Sequence, residues 1–429
     1  MTFPLLHGGL PFLYENPNSA MLDWRARLGY AMQELDSERL LAKTTDQQLP
    51  GTAARMQRLS DGLQKHQDEL KQILNVLEID TNTAREMHQV LGTSLPTHHG
   101  VLSYMPLIFR DWVWGQSETN LTADHIIKVL ANHSQQLDQI LVLGAGAGGL
   151  AYELQQRISE QAHTSITVTT IDSNPLLSLI AWHMANGSTV ELTEFPDAPL
   201  SLEDIAVTHH LTNSNANEHI KVICADAMHL PVPLDHFDLV LTPWLIDVID
   251  APLTTLLQQI TRALKPEGLW LNHGPLGYSG HPASRLSAIE ISELTQSSGY
   301  DVLSTEHVRL PYLESPHGAA HRSERLFTQL ARRGESVVDS TDADTTVTPE
   351  WMIDASKPVP FTPAFKAQLT NTRIHGFVMG LINGERSINE MARIMENERL
   401  MPAEQAKPAL KGFLRKMLEE ANTAEGVNR

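Results

Sequence analysis

Short apolar runs alternate with longer amphipathic segments between residues 96 and 334. Strand-length apolar runs of about 4–8 residues, interleaved with helix-length segments, are typical of α/β domains whose sheet is largely parallel. The pattern therefore predicts a doubly wound α/β fold with a mostly parallel, seven-stranded, Rossmann-like sheet. The predicted strands, in chain order, are Gln139–Gly144, Ser165–Ile171, Ile220–Cys224, Phe237–Pro243, Gly268–Gly274, Val302–Val308 and Arg325–Ala331.

A helical pattern precedes this α/β region. Within residues 1–95, apolar side chains between Asp61 and Ile79 recur at helical spacing, which predicts a helical N-terminal extension that packs on the next domain. A short partner-binding coiled coil is the alternative, although the heptads are not sustained. The apolar positions are Leu63, Leu70, Ile73, Leu74 and Leu77.

Three further segments complete the predicted organisation. Between the second and third strands, Gly187–His219 is rich in Thr, Asn, Asp and Pro, which predicts a solvated loop or a substrate lid. Residues 335–350 have the composition of a linker. The pattern of residues 351–429 predicts a helical or winged-helix-like module, in which Ser387 and Glu390 have the spacing of a capping box.

Composition narrows the range of partners. The 51 acidic and 32 basic residues give a net charge of −19, which argues against nucleic acid as the main partner. The single cysteine, Cys224, excludes an intrachain disulfide, and no apolar run approaches the roughly 20 residues of a membrane span. No metal site is predicted, because neither His98-His99 nor His209-His210 has a third ligand at useful spacing. We expect a cytoplasmic protein, free of nucleic acid and membrane, that can form a homodimer.

A glycine-rich turn follows the first predicted strand. In Gly144-Ala145-Gly146-Ala-Gly148-Gly149, four glycines fall within six positions, directly before a predicted helix start. Glycine is needed there because side chains would keep a ligand from the backbone amides at the helix N-terminus. The turn predicts a site for a nucleotide-derived cofactor, but it does not say which one.

Carboxylates follow the next two predicted strands, at the sheet edge where ligands of doubly wound folds bind. Asp172 comes directly after the second strand and is placed to accept hydrogen bonds from ribose hydroxyls. A nicotinamide-binding fold and a methyl-donor fold would both have an acid there. After the third strand comes Asp226 in Ala-Asp-Ala, and the fourth strand opens with Phe237-Asp238.

These segments resemble class I S-adenosylmethionine-dependent methyltransferases. The resemblance lies in Cys224–Pro231, Phe237–Trp244 and Leu264–Trp270, which occur in the order that the class has. It implies S-adenosylmethionine as the cofactor, with Asp226 at the adenine amino group and Asp172 at the ribose. The candidate cofactor-binding residues in this part of the chain are Gly144, Ala145, Gly146, Gly148, Asp172, Asp226, Ala227 and Thr242.

A narrower resemblance, to the carnosine N-methyltransferase family, covers roughly residues 104–333. It lies in Arg110-Asp-Trp, in Leu264–Tyr278 and in Ser287–Ser292, in the family's order. Members of the family methylate an imidazole nitrogen of a histidine-containing dipeptide. The resemblance implies that Arg110 contacts the methyl donor and that Asp247, in Trp-Leu-Ile-Asp, helps to bind the acceptor.

The chain departs from the family's pattern where the acceptor is expected. Ser279 stands where the family has a histidine, and His281 follows two positions later. The region His321-Arg322-Ser323 aligns with tyrosines that bind substrate in the family. The predicted acceptor is therefore a small or peptidic molecule resembling a histidine-containing dipeptide.

Four residues are candidates for catalysis: Asp247, Tyr278, His273 and His281. A sulfonium methyl is already activated, so the enzyme must mainly align the acceptor nitrogen and exclude water. An imidazole with a pKa near ~6.5 is substantially neutral at neutral pH and needs little base catalysis. Asp247 could then fix the imidazole tautomer or pair with a substrate ammonium, and His273 or His281 could shuttle a proton.

The sequence alone leaves two alternatives open. An NAD(P)-dependent oxidoreductase is compatible with Gly144-x-Gly146-x-x-Gly149, which also satisfies the dinucleotide fingerprint. A non-catalytic regulatory or scaffold protein that binds S-adenosylmethionine is compatible with the changed acceptor positions. The C-terminal module weakly resembles winged-helix domains that bind peptides, which would favour a peptide as the methyl acceptor.

Overall fold

A computed structural model describes residues 5–6, 9–44, 49–77, 101–131, 133, 136–213, 216–249, 251–278, 285–334, 376–383 and 385–424. The chain divides into two compact units, Met1–Ser340 and Thr341–Arg429. Among the described residues, no helix is long and apolar enough to cross a membrane. The predicted linker at 335–350 lies outside the described residues.

Seven of the strands described in the first unit occupy the positions that the apolar runs predict, with ends displaced by a few residues, and the other four were not predicted. They are β1 (Leu5–Leu6), β2 (Leu10–Pro11), β3 (Gln139–Leu143), β4 (Thr167–Asp172), β5 (Thr189–Glu194), β6 (Val207–Thr212), β7 (Ile220–Cys224), β8 (Phe237–Pro243), β9 (Leu264–Gly274), β10 (Tyr300–Pro311) and β11 (Ser323–Arg333).

Helices connect and flank these strands. They are α1 (Pro17–Thr44), α2 (Pro50–Ile73), α3 (Met105–Phe109), α4 (Gln116–Ala131), α5 (Gly149–Ala162), α6 (Pro175–Ala185), α7 (Leu253–Ala263) and α8 (Ala288–Ser297) in the first unit, with α9 (Ile388–Asn397) and α10 (Ala403–Ala424) in the second. A π-helix, Arg110–Trp114, lies between α3 and α4.

The main sheet has seven strands in the order β10-β11-β9-β8-β3-β4-β7. β3, β4, β7, β8 and β9 are parallel, whereas β11 runs antiparallel to both β9 and β10. The mostly parallel seven-stranded sheet is therefore confirmed. An all-parallel dinucleotide-binding sheet has the order 3-2-1-4-5-6. The antiparallel strand inserted between the fifth and the sixth distinguishes this chain from that arrangement.

Burial explains why the sequences of the central strands are continuous apolar runs. All seven residues of β8 are buried, and so are the last four of β3. A strand covered on both faces by helices has no solvent face, so it does not alternate apolar with polar residues. Because β4 and β8 lie on opposite sides of β3, the chain reverses its direction of winding at β3, and a ligand crevice is expected above its carboxyl end.

The predicted helical N-terminal extension is confirmed, and it packs within the first unit. α1 and α2 pack against each other, and the apolar stripe of α2 and the residues after it is buried. Its members are Leu63, Leu70, Ile73, Leu74 and Leu77.

The residues before α1 lie beside the main sheet, which the sequence did not predict. Phe12 forms a parallel bridge with Cys224 at the end of β7, and the Leu13 N–H donates to the Cys224 carbonyl at 2.9 Å. Phe12 is fully buried. The start of the chain therefore lies next to the carboxyl ends of β4 and β7.

The prediction of a solvated loop over Gly187–His219 is wrong for most of its length. β5 and β6 form an antiparallel hairpin, and Val190, Leu192 and Leu211 are buried under it. Glu69 of α2 accepts hydrogen bonds from the Thr193 N–H at 2.7 Å and from the Thr193 hydroxyl at 3.0 Å. The polar composition concealed a hairpin because its exposed face and its connecting loop carry most of the polar residues.

The second unit is helical in its described residues. Ser387 and Glu390 form the predicted capping box at the start of α9, with a Ser387 hydroxyl to Glu390 carboxylate distance of 2.6 Å. A small apolar cluster joins α9, α10 and the residues before them. Its buried members are Val378, Leu381, Met391, Ala392, Met395, Ala406 and Leu410. A winged-helix arrangement stays a prediction.

Candidate active site

The turn between β3 and α5 has the backbone conformation that its glycines predict. Gly144, Gly146 and Gly148 all have positive φ angles, of 67°, 60° and 91°. A Cβ on Gly144 would lie 2.7 Å from Leu245, whereas a Cβ on Gly146 would meet no atom closer than 4.0 Å. Gly144 is therefore required by close packing, and Gly146 borders open space in front of a helix N-terminus.

Asp172 holds this turn against the end of β4. The Gly146 N–H donates to Asp172 Oδ2 at 2.9 Å, and the Asn174 N–H donates to Oδ1 at 2.8 Å. Burial raises the pKa of Asp172 to about 6, although these two N–H donors act in the opposite direction. Ala145 takes part through its backbone, because its N–H donates to the Ile171 carbonyl at 3.2 Å.

The Arg110-Asp-Trp motif lies in the π-helix and contacts the glycine turn. Asp111 Oδ2 accepts from the Gly149 N–H at 3.0 Å, and the Trp112 indole donates to the Ala147 carbonyl at 2.8 Å. Asp111 therefore satisfies the first N–H of α5, a helix whose N-cap residue, Gly148, has no side chain. All three residues of the motif therefore make polar contacts here: Asp111 and Trp112 bind the glycine turn, and Arg110 pairs with Asp111.

The Arg110 guanidinium lies between two carboxylates, and only 12% of the side chain is exposed. Its Nε and Nη2 lie 2.9 and 2.8 Å from Asp111 Oδ1, and Nη1 lies 3.7 Å from Glu118. Glu118 also accepts from the Leu313 N–H at 2.8 Å. Burial raises the pKa of Glu118 to about 7 in spite of Arg110 and that N–H donor. Arg110 is thus fixed beside the glycine turn, and Glu118 connects it to the chain after β10.

Asp226 and Ala227 follow β7 at the same edge of the sheet. Asp226 Oδ1 accepts from the Met228 N–H at 2.8 Å, and Oδ2 lies 3.5 Å from the ring of His229. Its side chain is 40% exposed, so lone pairs of the carboxylate are still accessible to a ligand. Ala227 packs on the apolar cluster beneath β7 and β8.

The sequence did not predict the wall that the N-terminal residues add here. The Tyr14 hydroxyl donates to the Ser173 carbonyl and accepts from the Trp24 indole at 3.1 Å. Burial and the nearby Cys224 and Asp172 raise the pKa of Tyr14. Tyr14 carried no sequence signal, because Ser173 lies 159 positions away along the chain.

A stack of aromatic and cationic side chains lies on the other side of β3. Trp244, just after β8, and Tyr312, just after β10, stack with ring centroids 5.8 Å apart and an interplanar angle of 21°. The Arg110 guanidinium lies 5.8 Å from the Trp244 ring, and that of Arg322 lies 5.1 Å from the Tyr312 ring. Such faces bind flat or cationic groups.

The backbone at Trp244 is strained into the left-handed region, with φ of 47°. Its N–H donates to the His273 carbonyl at 2.8 Å, and a Cβ on Gly274 would lie 3.0 Å from the Trp244 backbone. A strained non-glycine residue next to a ligand crevice is a common feature of functional sites.

Asp247 and Tyr278 lie together on this side. Asp247 is buried, and its Oδ2 accepts from the Gly277 N–H at 2.8 Å. Burial and the Asp247 carboxylate raise the pKa of Tyr278, whose hydroxyl is buried without a hydrogen-bond partner among the described residues. A buried hydroxyl of this kind is normally satisfied by a partner, so it favours a ligand or water at that point.

Tyr104 interacts electrostatically with both sides of the crevice, and it is another residue that the sequence did not single out. Burial raises its pKa, and Asp172, Tyr312 and Asp247 contribute in the same direction. Asp172 belongs to the glycine-turn side, whereas Tyr312 and Asp247 belong to the aromatic side. Tyr104 is therefore within electrostatic range of both groups of predicted site residues.

Two predicted site residues lie in the core instead. His273 is fully buried, its Nδ1 lies 2.9 Å from the Thr328 hydroxyl, and burial lowers its pKa to about 3. Such a histidine stays neutral and cannot shuttle protons at neutral pH. Thr242 is also fully buried, and its hydroxyl bonds to Asn272 and Trp270 at 3.1 Å each, so it does not line the cofactor crevice.

His281 lies outside the described residues.

The residues at the glycine turn fit an adenosine-bearing methyl donor. Open space at Gly146 in front of a helix N-terminus, with the carboxylates of Asp172 and Asp226 at the next two strand ends, provides acceptors for hydroxyl and amino groups. Arg110 supplies a fixed positive charge beside the same turn.

Comparison with known proteins agrees with this arrangement. Residues 184–323 match the model of the family described as carnosine N-methyltransferase. That match includes β5–β10, Asp226, Asp247, Tyr278 and Tyr312. No curated protein matches the sequence of this chain.

Solved structures that resemble the chain include methyltransferases of low sequence identity. A SAM-dependent methyltransferase from Aquifex aeolicus is 14% identical over 57% of this chain and 96% of its own, with a TM-score of 0.33. A putative sarcosine dimethylglycine methyltransferase from Galdieria sulphuraria is 15% identical over 50% of this chain and 86% of its own, with a TM-score of 0.36.

The chain is a class I S-adenosylmethionine-dependent methyltransferase. This conclusion rests on the family match over residues 184–323, together with the order of the seven strands. S-adenosylmethionine is therefore its cofactor, and neither a nicotinamide-dependent oxidoreductase nor a non-catalytic scaffold is favoured.

Proposed function

We propose that this methyltransferase methylates a ring nitrogen of an imidazole-bearing acceptor, either a small molecule resembling a histidine-containing dipeptide or a peptide. The observation that supports this most is the buried Asp247 carboxylate, held by the Gly277 N–H beside Tyr278. A carboxylate in that environment can accept one imidazole N–H and so present the lone pair of the other nitrogen.

The aromatic stack supports the same acceptor class. Trp244 and Tyr312 form a stacked aromatic pair flanked by the guanidinium groups of Arg110 and Arg322, and Tyr104 lies within electrostatic range of Tyr312 and Asp247. A planar imidazole can pack against the edge of this aromatic pair while Asp247 holds its N–H. A purely aliphatic amine would gain less from the stack, although the carboxylate could pair with it.

The side chains of the protein would take little direct part in making or breaking bonds. When bound, S-adenosylmethionine supplies a methyl group that is already electrophilic. Asp172, Asp226, the glycine turn and Arg110 would hold it, and Asp247 would fix the tautomer and direction of the acceptor ring. Tyr278 and Tyr104 would keep the acceptor close and exclude water, which are the main contributions such a reaction needs.

The test is transfer of labelled methyl by the full-length protein to a matched panel of acceptors. The panel contains a histidine dipeptide, the same dipeptide with either ring nitrogen already methylated, a histidine peptide, and an alanine dipeptide. We expect label in the histidine acceptors, loss of label when the reacting nitrogen is blocked, and none in the alanine control, with the position assigned by fragmentation mass spectrometry. Transfer to the α-amine of the alanine dipeptide would contradict the proposal.

The cytoplasmic location, the homodimer and the absence of nucleic-acid partners stay predictions from the sequence.

A further inference from the structure

A cluster of metal-ligand side chains lies outside the crevice, where the β5–β6 hairpin meets the loop after β10. Glu194, His209 and His317 each place a potential ligand atom within 4.8 Å of the others. Glu194 ends β5, His209 lies in β6, and His317 lies in the 312–322 loop. We propose that these three side chains bind a first-row divalent transition metal, best suited to Zn²⁺.

The donor set points to a transition metal. Two imidazoles and one carboxylate are ligands that Zn²⁺ commonly takes, whereas Mg²⁺ and Ca²⁺ prefer oxygen donors. Ligand atoms around tetrahedral Zn²⁺ are about 3.4 Å apart, given bonds of about 2.05 Å. Here the ligand atoms lie within 4.8 Å of one another, so small side-chain movements would bring them to the spacing that an ion requires.

The groups around the cluster orient the ligands as a metal site requires. Asp204 Oδ1 lies 2.8 Å from His317 Nδ1, which leaves Nε2 of His317 as the nitrogen to coordinate. The Ser315 hydroxyl donates to Glu194 Oε1 at 2.7 Å, and the Trp114 indole donates to Oε2 at 3.3 Å. Carboxylate–histidine pairs and hydrogen-bonded carboxylates are the usual partners of metal ligands.

Charge and burial also favour a cation. Glu194 is buried, and the His209 side chain is only 10% exposed, so both are shielded from bulk water. With neutral imidazoles, Glu194 and Asp204 give the site two negative charges, which a divalent ion would neutralise. His209 Nε2 already lies 2.7 Å from Glu194 Oε2, so without metal the pair forms a hydrogen bond.

Bound metal would stabilise the loop that carries part of the aromatic stack. The 312–322 loop is already attached to residues 198–200, since the Leu200 N–H donates to the His317 carbonyl and the Ala319 N–H to the Ala198 carbonyl. Its first residue, Tyr312, stacks on Trp244. The metal site is thus structural, and it does not depend on the identity of the acceptor.

The experiment is calorimetric titration of chelator-treated, full-length protein with Zn²⁺ alone. We expect one site per chain, with affinity reduced at least about 100-fold in His209→Ala and His317→Ala, and about 10–100-fold in Asp204→Asn. His210→Ala is the matched control, because the neighbouring His210 ring is 66% exposed on the opposite face of β6 and should leave affinity unchanged.

Two further measurements distinguish a site from surface binding and from misfolding. Co²⁺ should give strong visible absorption bands of low-coordinate geometry in the wild type and in His210→Ala, but not in His209→Ala. Zn²⁺ should raise the unfolding temperature of the wild type and leave that of His317→Ala unchanged, with equal circular dichroism before metal is added. Zn²⁺ affinity that is equal in wild type and His209→Ala, or reduced as much by His210→Ala, would overturn the proposal.

Discussion

The two sides of the crevice are built in different ways. On the glycine-turn side, the groups facing the crevice are mostly backbone amides and carboxylates that directly follow β3, β4 and β7. On the aromatic side, the groups are side chains from residues 104, 244–247, 277–278 and 312, which are remote from one another in the chain. In the first arrangement each group follows a strand that the sequence predicts, whereas the second depends on how separate loops meet in the fold.

This difference explains why the cofactor is easier to infer than the acceptor. A strand end followed by glycines and a helix restricts the backbone to few conformations, so the sequence alone indicates a site for a nucleotide-derived cofactor. Side chains on separate loops can be exchanged without disturbing the sheet, which lets one fold accept many substrates.

The largest effect is expected from Gly146→Val. A β-branched residue at φ of 60° is strained, and its side chain would occupy the open space in front of α5. We expect the Kd for S-adenosylmethionine to rise at least about 100-fold, or roughly 2.8 kcal/mol, by titration calorimetry. Gly187→Val is the control, because Gly187 has a φ of 69° but lies at an exposed turn after α6. An unchanged Kd in Gly146→Val would show that the glycine turn is not part of the donor site.

Asp247→Asn should separate the two sides most clearly. The amide can still accept from the Gly277 N–H but cannot offer a charged acceptor to the substrate. We expect kcat to fall by about 100-fold, as for a misoriented reactant, while the Kd for S-adenosylmethionine changes less than about threefold. The exposed Asp301→Asn serves as a control for loss of a surface charge. Equal effects on kcat and donor affinity would place Asp247 on the donor side.

Asp172 gives the donor side a pH dependence. Burial raises its pKa from 3.8 to about 6, so the carboxylate that hydroxyl donors prefer is lost as the pH falls through 6. Donor affinity should be full above that value and weaken by up to about tenfold per unit below it. Asp172→Asn should bind more weakly but with a flat profile, and a wild-type profile that is flat between pH 5 and pH 7 would contradict this role.

The same carboxylate has the opposite effect on the stability of the donor-free protein. Because its pKa is higher in the folded state, the folded protein keeps the proton more strongly than the unfolded chain does. Its contribution to the free energy of unfolding is therefore greatest at low pH and is lost as the pH rises from about 4 to about 6. Denaturant titrations of wild type and Asp172→Asn across that range measure the difference.

The smallest effect on turnover is expected from His273→Asn. The asparagine can keep a hydrogen bond to Thr328, and a core residue that touches no reactant should change kcat less than about threefold. Stability should respond instead. The unfolded histidine takes up a proton near pH 6.5 but the folded one only near 3, so wild-type stability is lost as the pH falls across that window. His273→Asn should flatten that loss, and a 100-fold fall in kcat would restore His273 as a catalytic candidate.

The sheet could be predicted because burial on both faces leaves a simple signal. β7 and β8 begin and end at the residues that the apolar runs indicate, and β3 differs by one residue at its end. The β5–β6 hairpin gave no such signal, since only Val190, Leu192 and Leu211 of its residues are buried and apolar. Alternation over so few positions is easily concealed by the polar residues around it.

The contacts that the sequence could not predict join distant segments. His209 and Glu194 meet because β5 and β6 pair, and His317 joins them from more than 100 positions further along the chain. Tyr14 reaches Ser173 because the start of the chain returns to the end of β7. Spacing within one segment carries no information about such pairs.

The contact between Leu13 and Cys224 has a consequence for how the chain behaves at high concentration. β7 is the outermost strand on its side of the sheet, and exposed backbone groups on such a strand invite pairing with another molecule. The N-terminal residues cover the end of that strand within the same molecule. Protein lacking residues 1–16 should therefore self-associate through β-pairing while it is still folded.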